Sequence, residues 1–220
     1  MQNAFLDEPK VQTWLTRATD AGCTVDEMSP LHLVHRKNGE LLFGLFHVKA
    51  HDPQGTPLLP ILLVRGDACV VVPQVRNRDT GEQRYVMVIQ RRTGNGQLSL
   101  EFPAGMLDKE VDDPLGVMVK ELREETGLPV SPSDLFALAD RPLYTSVGLQ
   151  DEAIHNFGCT LELSGAEYES LQGRLTGDAG EGERITVVLR TGDQARAEAT
   201  SAQVLLALYL FEDALRQRAE

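Results

Sequence analysis

The sequence predicts an α/β protein, a mixed sheet sandwiched between helices and preceded by an N-terminal helix and β-hairpin. Three observations carry this reading. Apolar runs of strand length, such as Ala68–Val72, Tyr85–Gln90 and Ile185–Leu189, recur on both sides of an amphipathic helix near mid-chain. A last amphipathic helix, from Ser201 to about Arg218, places Val204, Leu205, Leu208 and Phe211 on one side. Strands before, between and after helices require layers in which helices cover a sheet.

The elements follow in order. Asp7-Glu8-Pro9 reads as a helix start, Val11, Trp14, Leu15 and Ala18 fall at helical spacing, and Gly22 marks the exit. Glu40–Lys49 and Leu58–Val64 are β-rich and parted by the turn-forming His51-Asp52-Pro53-Gln54-Gly55, so they read as a hairpin. Ala68–Val72 is a central strand, Tyr85–Gln90 another, and Gln97–Phe102 a short one ending in Pro103-Ala104-Gly105. Asp113 caps a helix that begins at Pro114 and stops at Gly127. Further strands are expected at Leu135–Ala139, Ile154–Leu163 and Ile185–Leu189, with a short helix around Tyr168, Leu171 and Leu175. Thr176–Gly182, with three glycines, reads as a mobile loop. Two parts are expected, residues 1–64 and 65–220.

Composition narrows the function. Hydrophobic residues make up 42% and charged residues 25% of the 220, the ordinary globular balance. Acids outnumber bases 33 to 21, for a net charge of −12, which repels phosphate backbones and argues against nucleic-acid binding. A small phosphate ligand is not excluded, because bound divalent cations reverse the local sign. No apolar run approaches the roughly 18–20 residues of a membrane-spanning helix. Met1–Lys10 lacks the basic start and apolar core of a signal peptide. Cys23, Cys69 and Cys159 show no metal-ligand spacing and read as reduced thiols, so a cytoplasmic location is expected.

The most informative segment is Gly105–Leu128, GMLDKEVDDPLGVMVKELREETGL. At about 100° per residue, Leu115, Met118, Val119 and Leu122 gather on one side, and Glu121, Glu124 and Glu125 on another. Carboxylates at i, i+3 and i+4 repel one another and weaken an isolated helix. A solvated acidic face is the plain alternative. A hard divalent cation accounts better for the repulsion, since Mg²⁺ is held by a few carboxylates together with substrate phosphates.

KELREETGL, Lys120–Leu128, resembles the second half of the Nudix signature: Glu121, Glu124, Glu125, Gly127 and Leu128 match their positions. The first half departs, with Gly105 one residue too far upstream, Asp112 at the first glutamate's position and Lys120 in place of arginine. A lysine keeps the charge but loses the planar fork that would orient a glutamate. LEFPAGMLD, the RGDACVVV stretch Arg65–Val72 and the helix and hairpin before it are similar to the ADP-sugar diphosphatases of this superfamily. The resemblance runs from about Val11 to Phe211 and implies a Nudix-type α/β/α sandwich.

It also implies site residues. Glu121 and Glu125 would hold the metal, with the Ala104 carbonyl as a further ligand and Glu124 in the same cluster. Glu181 and Glu183 stand where relatives carry a second acidic pair, one supplying a catalytic base and Glu183 a further metal ligand. Both would otherwise be ordinary loop acids. Arg92, in Gln90-Arg91-Arg92, resembles a diphosphate-binding arginine, its fork suiting phosphate oxygens, against a surface ion pair as the alternative. Arg65 joins it as a substrate-binding candidate, and Glu101 as support for the metal cluster. Glu152, in Ser146–Glu152, contacts metal or substrate or closes a structural turn. The five histidines show no HxH or HExxH spacing, and neither GxSxG nor a strand-borne GxGxxG occurs.

The expected activity is therefore Mg²⁺-dependent hydrolysis, with Mn²⁺ as a substitute ion, of a nucleoside diphosphate sugar to NMP and sugar 1-phosphate. ADP-ribose is the competing substrate, and a non-catalytic Nudix-fold binder of nucleotide sugars the competing class. Relatives form two-fold dimers through N-terminal strands, and Leu41, Leu42, Phe43, Leu45 and Phe46 are too apolar for both faces of a lone hairpin. A homodimer through Glu40–Val64 is expected.

Overall fold

A computed structural model describes residues 4–107, 113–177 and 184–219. In chain order the first half holds α1 (Pro9–Asp20), β1 (Thr24–His35), β2 (Leu41–His51), β3 (Ile61–Val64), β4 (Ala68–Asn77) and β5 (Gln83–Arg91). Next come β6 (Leu98–Glu101), β7 (Ala104–Met106), α2 (Pro114–Thr126), β8 (Phe136–Ala137) and β9 (Leu143–Tyr144). The last third holds β10 (Ala153–Leu163), α3 (Gly165–Leu171), β11 (Leu175–Thr176), β12 (Ile185–Arg190), α4 (Gly192–Glu198) and α5 (Ala202–Ala219).

The chain divides into two compact units. One takes residues up to Ala68 together with Leu143–Ile154. In it, β1, β2 and β3 form an antiparallel sheet in that order, β2 meeting β3 from Gly44↔Val64 to His47↔Ile61. The hairpin read from the sequence is therefore β2–β3, and β1 adds an unforeseen edge. Pro30 hid it, because a proline inside a run argues against a strand. At an edge the missing N–H costs nothing, and the β1–β2 register shifts between Pro30 and His32. Phe46, Val48 and Ala50 alternate into a core with Phe5, Val11, Leu62 and Val64, against which Trp14 and Leu15 of α1 pack.

The second unit is built on a sheet of order β11-β12-β5-β4-β10-β8, with β6 added to β5 and β7 to β4. Cys69 and Val71 of β4 and Val86 of β5 face a core completed by Val117, Met118 and Leu122 of α2. Residues of opposite parity are buried as well, Val70, Val72, Tyr85 and Met87 among them. Tyr85 meets Phe211 of α5 edge-on at 5.8 Å between centroids. Both faces of the central strands are thus covered, which is why they read as unbroken apolar runs rather than alternations. On α5, Val204, Ala207, Leu208 and Phe211 are the buried positions, the i, i+3, i+4, i+7 stripe of a helix lying on a sheet.

Candidate active site

The acidic helix α2 starts and stops where its sequence dictates. Asp113 accepts hydrogen bonds from the Leu115 N–H (3.1 Å) and Gly116 N–H (3.2 Å), Pro114 opens the first turn, and Gly127 ends it at φ 76°. Only glycine takes that conformation without cost. Arg174 then donates to the Thr126 carbonyl (3.1 Å), and the Thr176 hydroxyl donates to the Glu125 carbonyl (2.6 Å). Two of the otherwise unpaired C-terminal acceptors of α2 are satisfied in this way.

The three glutamates separate in burial. Glu125 is 7% exposed, Glu121 is half-buried, and the Glu124 side chain is 56% exposed. The helical wheel explains the order. Taking Glu121 as zero, Glu125 lies at about +40°, beside the apolar stripe at Met118 and Leu122, whereas Glu124 lies at about −60°. Lys120 pairs with the outward Glu124 at 3.6 Å, one turn along the helix. The lysine that stands in place of arginine in the signature thus engages the exposed glutamate.

Strand β7 crosses the two inward glutamates. The Ala104 N–H donates to Glu125 Oε2 at 3.2 Å. A Cβ placed on Gly105 would stand 2.5 Å from Glu121 Cγ and 2.6 Å from its Oε1, closer than a carbon can approach. One stretch of backbone therefore touches both carboxylates. Among the described residues no group of three or more His, Cys, Asp or Glu side chains forms a metal-holding set. Mg²⁺ does not need one, because it retains waters and is usually held by one or two carboxylates plus substrate phosphates. Two carboxylates on successive turns, lying against the Ala104–Gly105 backbone, are hard oxygen donors that fit this demand.

Arg92 follows β5 and forks onto Glu101 at the end of β6, Nε to Oε1 at 3.0 Å and Nη2 to Oε2 at 2.7 Å. The β5–β6 register, Arg91↔Leu98 through Val88↔Glu101, brings the two side chains together. Glu181 and Glu183 lie outside the described residues, as do Asp112 and most of the glycine-rich stretch.

Glu152 and Arg65 belong to the other unit and are paired there, Nε to Oε1 at 2.9 Å. Glu152, buried, also accepts from the Thr145 hydroxyl (3.1 Å). Sequence reasoning passed over its neighbour Asp151, which is buried and accepts from the Arg65 and Gly66 N–H groups at 2.8 and 3.2 Å. Burial holds the Asp151 carboxyl above its ordinary range, opposed by those two backbone bonds. Asp67 forms a bidentate pair with Arg17 at 3.0 and 2.6 Å and accepts from the Ala153 N–H. The Arg-Gly-Asp run at residues 65–67 was the available signal: its N–H groups and carboxylate tie residues 151–153 to the start of β4.

Comparison with known proteins identifies the domain. A family model described as the NUDIX domain matches residues 67–189, more than half of the chain. Nudix hydrolase 14, chloroplastic, of Arabidopsis thaliana is 30% identical over 164 residues, which are 71% of this chain. The chain spans about half the length of that relative, 52% of it. A solved structure described as an ADP compounds hydrolase superposes with a TM-score of 0.61 at 18% identity, covering 89% of this chain and 95% of that one. It shares the fold. With a signature helix framed as described and a domain match over most of the second unit, the chain belongs to the Nudix hydrolase superfamily.

Proposed function

We propose that the protein hydrolyses the diphosphate bond of a nucleoside diphosphate sugar, with Mg²⁺ bound at Glu121, Glu125 and the Ala104 carbonyl. The observation that carries this reading is the β7 backbone lying against two inward carboxylates one helical turn apart. When bound, the ion would offset diphosphate charge and lower the pKa of a water. The protein's own part is positioning. The Ala104 N–H fixes one Glu125 oxygen, the Asp113 cap and the Gly127 exit fix the helix ends, and Glu101 holds the Arg92 fork in one orientation. Because Nε and Nη2 donate to Glu101, a phosphate oxygen would be met by Nη1 of the same guanidinium. Glu181 or Glu183 would take the proton from the attacking water. Likeness in fold to an ADP compounds hydrolase favours an ADP-linked substrate.

The test is direct. Purified protein with Mg²⁺ is assayed on ADP-glucose, UDP-glucose and ADP-ribose, and release of NMP from a nucleoside diphosphate sugar is expected. Absence of phosphomonoester from all three sinks the hydrolase reading and leaves a nucleotide-sugar binder. A higher kcat/KM on ADP-ribose reassigns the substrate.

A homodimer and a cytoplasmic location are part of the same proposal. Leu31, Phe43, Leu58, Leu59 and Ile61 of the first unit are exposed, an apolar set that a second copy would cover. Light scattering at micromolar concentration should give twice the 24.2 kDa chain mass, and a monomer of full activity overturns the dimer. Cys23 is half-buried and Cys69 and Cys159 are buried, all three as free thiols. No helix among the described residues is long and apolar enough to cross a membrane.

A further inference from the structure

We infer that Gly105 is a positioning residue, whose missing side chain lets the Ala104–Gly105 backbone press on Glu121 and hold its carboxylate beside that of Glu125. The inference rests on the metal-dependent reading above and names the device that builds the site. Gly105 needs no unusual backbone: it is not among the residues with positive φ, so conformational freedom does not explain a glycine there. Space does. The nearest atoms to a Cβ at 105 would be Glu121 Cγ, Oε1 and Cδ at 2.5, 2.6 and 2.7 Å, all three from the one side chain.

Neither backbone can retreat cheaply. Behind the strand, the Val71 N–H donates to the Pro103 carbonyl at 3.0 Å, and the neighbouring Phe102 is 2% exposed, its ring edge-on to Tyr85 at 6.2 Å. On the other side, Glu121 rides a helix anchored through fully buried Met118 and Leu122. The slack would have to come from the Glu121 side chain, by a change of rotamer that carries its carboxylate away from Gly105. Meanwhile the Ala104 N–H holds Glu125 Oε2. One dipeptide thus sets both carboxylates, one by a hydrogen bond and one by close packing. Such supporting contacts typically alter metal affinity or activity by about 10–100-fold when removed.

The experiment is a stability cycle read together with Mn²⁺ binding to the full chain. Gly105→Ala is made in the native background and in Glu121→Ala, which deletes the atoms a Cβ would meet. Gly105→Ala should lower Tm in the native background and leave it unchanged beside Glu121→Ala. In the native background it should also weaken Mn²⁺ binding by about 10–100-fold, measured by calorimetry below the Tm of the variant. Equal Tm losses in both backgrounds overturn the inference, because the glycine would then serve the backbone alone. Unchanged Mn²⁺ affinity in Gly105→Ala overturns it too. A native protein that binds no Mn²⁺ defeats the metal-site reading instead, and the stability cycle alone then decides the role of Gly105.

Discussion

Replacing Glu125 by glutamine separates the chemistry of the site from its architecture. The side chain is nearly enclosed and accepts the Ala104 N–H at 3.2 Å. Glutamine keeps the shape and one carbonyl acceptor, so the strand–helix link survives as a neutral bond. A bond to a charged group contributes about 1.5–3 kcal/mol and a neutral one about 1. Relief of the repulsion between Glu121 and Glu125 returns about 0.2–0.5 kcal/mol. The net cost is about 1 kcal/mol, or about 2–4 °C in Tm for a chain of this size. Turnover should behave differently. Supporting residues around metals matter by about 10–100-fold, so loss of a direct carboxylate ligand should cost at least about 100-fold in kcat/KM at fixed Mg²⁺. Glu125→Ala should add the cost of leaving the partly buried Ala104 N–H without this acceptor, about 1 kcal/mol. Thermal melts and initial rates on the same preparations check both halves. Glutamine with near-native turnover would refute the assignment of Glu125 as a ligand. A Tm loss as large as that of alanine would refute the argument that the hydrogen bond survives.

Two further outcomes follow from named contacts. Asp113→Ala should destabilise by about 1 kcal/mol through loss of the α2 cap, whereas Asp113→Asn should retain most of it; equal losses in the two variants would count against capping. Asp151 has its carboxyl raised above 3.8, chiefly by burial, so its contribution to stability is present when protonated and fades as pH rises from 3.8 through the raised value. Asp151→Asn keeps an acceptor for the Arg65 and Gly66 N–H groups without the charge. Its Tm should therefore improve relative to the native protein as pH rises from 4 to 7, and a difference that is flat or of opposite sign would refute the burial argument.

Elements whose signal is local were legible in the sequence. Asp113-Pro114 at one end of α2 and Gly127 at the other are local chemistry, and both bound the helix in the structure. The capping boxes Ser164 with Glu167 and Thr191 with Gln194 are equally local. The first accompanies the short helix expected around Tyr168 and Leu171, although Leu175, read into it, lies on β11; the second marks α4, which a closer reading of Thr191-Gly192-Asp193-Gln194 would have found. The grouping of Glu121, Glu124 and Glu125 on one face was legible too. Their order of burial was contained in the same wheel, because Glu125 borders the apolar stripe and Glu124 does not.

What local signal cannot supply is pairing at long range, and the first unit shows the physics. Residues 143–154 lie far along the chain from β3, yet the Leu63 N–H donates to the Leu149 carbonyl, the Asp151 N–H to the Leu63 carbonyl, and Asp151 Oδ1 accepts from Arg65 and Gly66. Buried backbone groups must be paired. A loop of Ser, Gly, Gln and acids satisfies that demand with carbonyls and a carboxylate, which leave no hydrophobic period to read. The same network bears on Arg65 as a substrate residue. Its Nε is engaged by Glu152, yet a guanidinium has five donors and a carboxylate oxygen uses one of them. Glu152, itself held by Thr145, fixes the plane of the guanidinium. If Arg65 meets an anion, Glu152 acts by orienting it. Glu152→Gln should then raise KM more than it lowers kcat, whereas a direct role for Glu152 at the reacting phosphate would lower kcat instead.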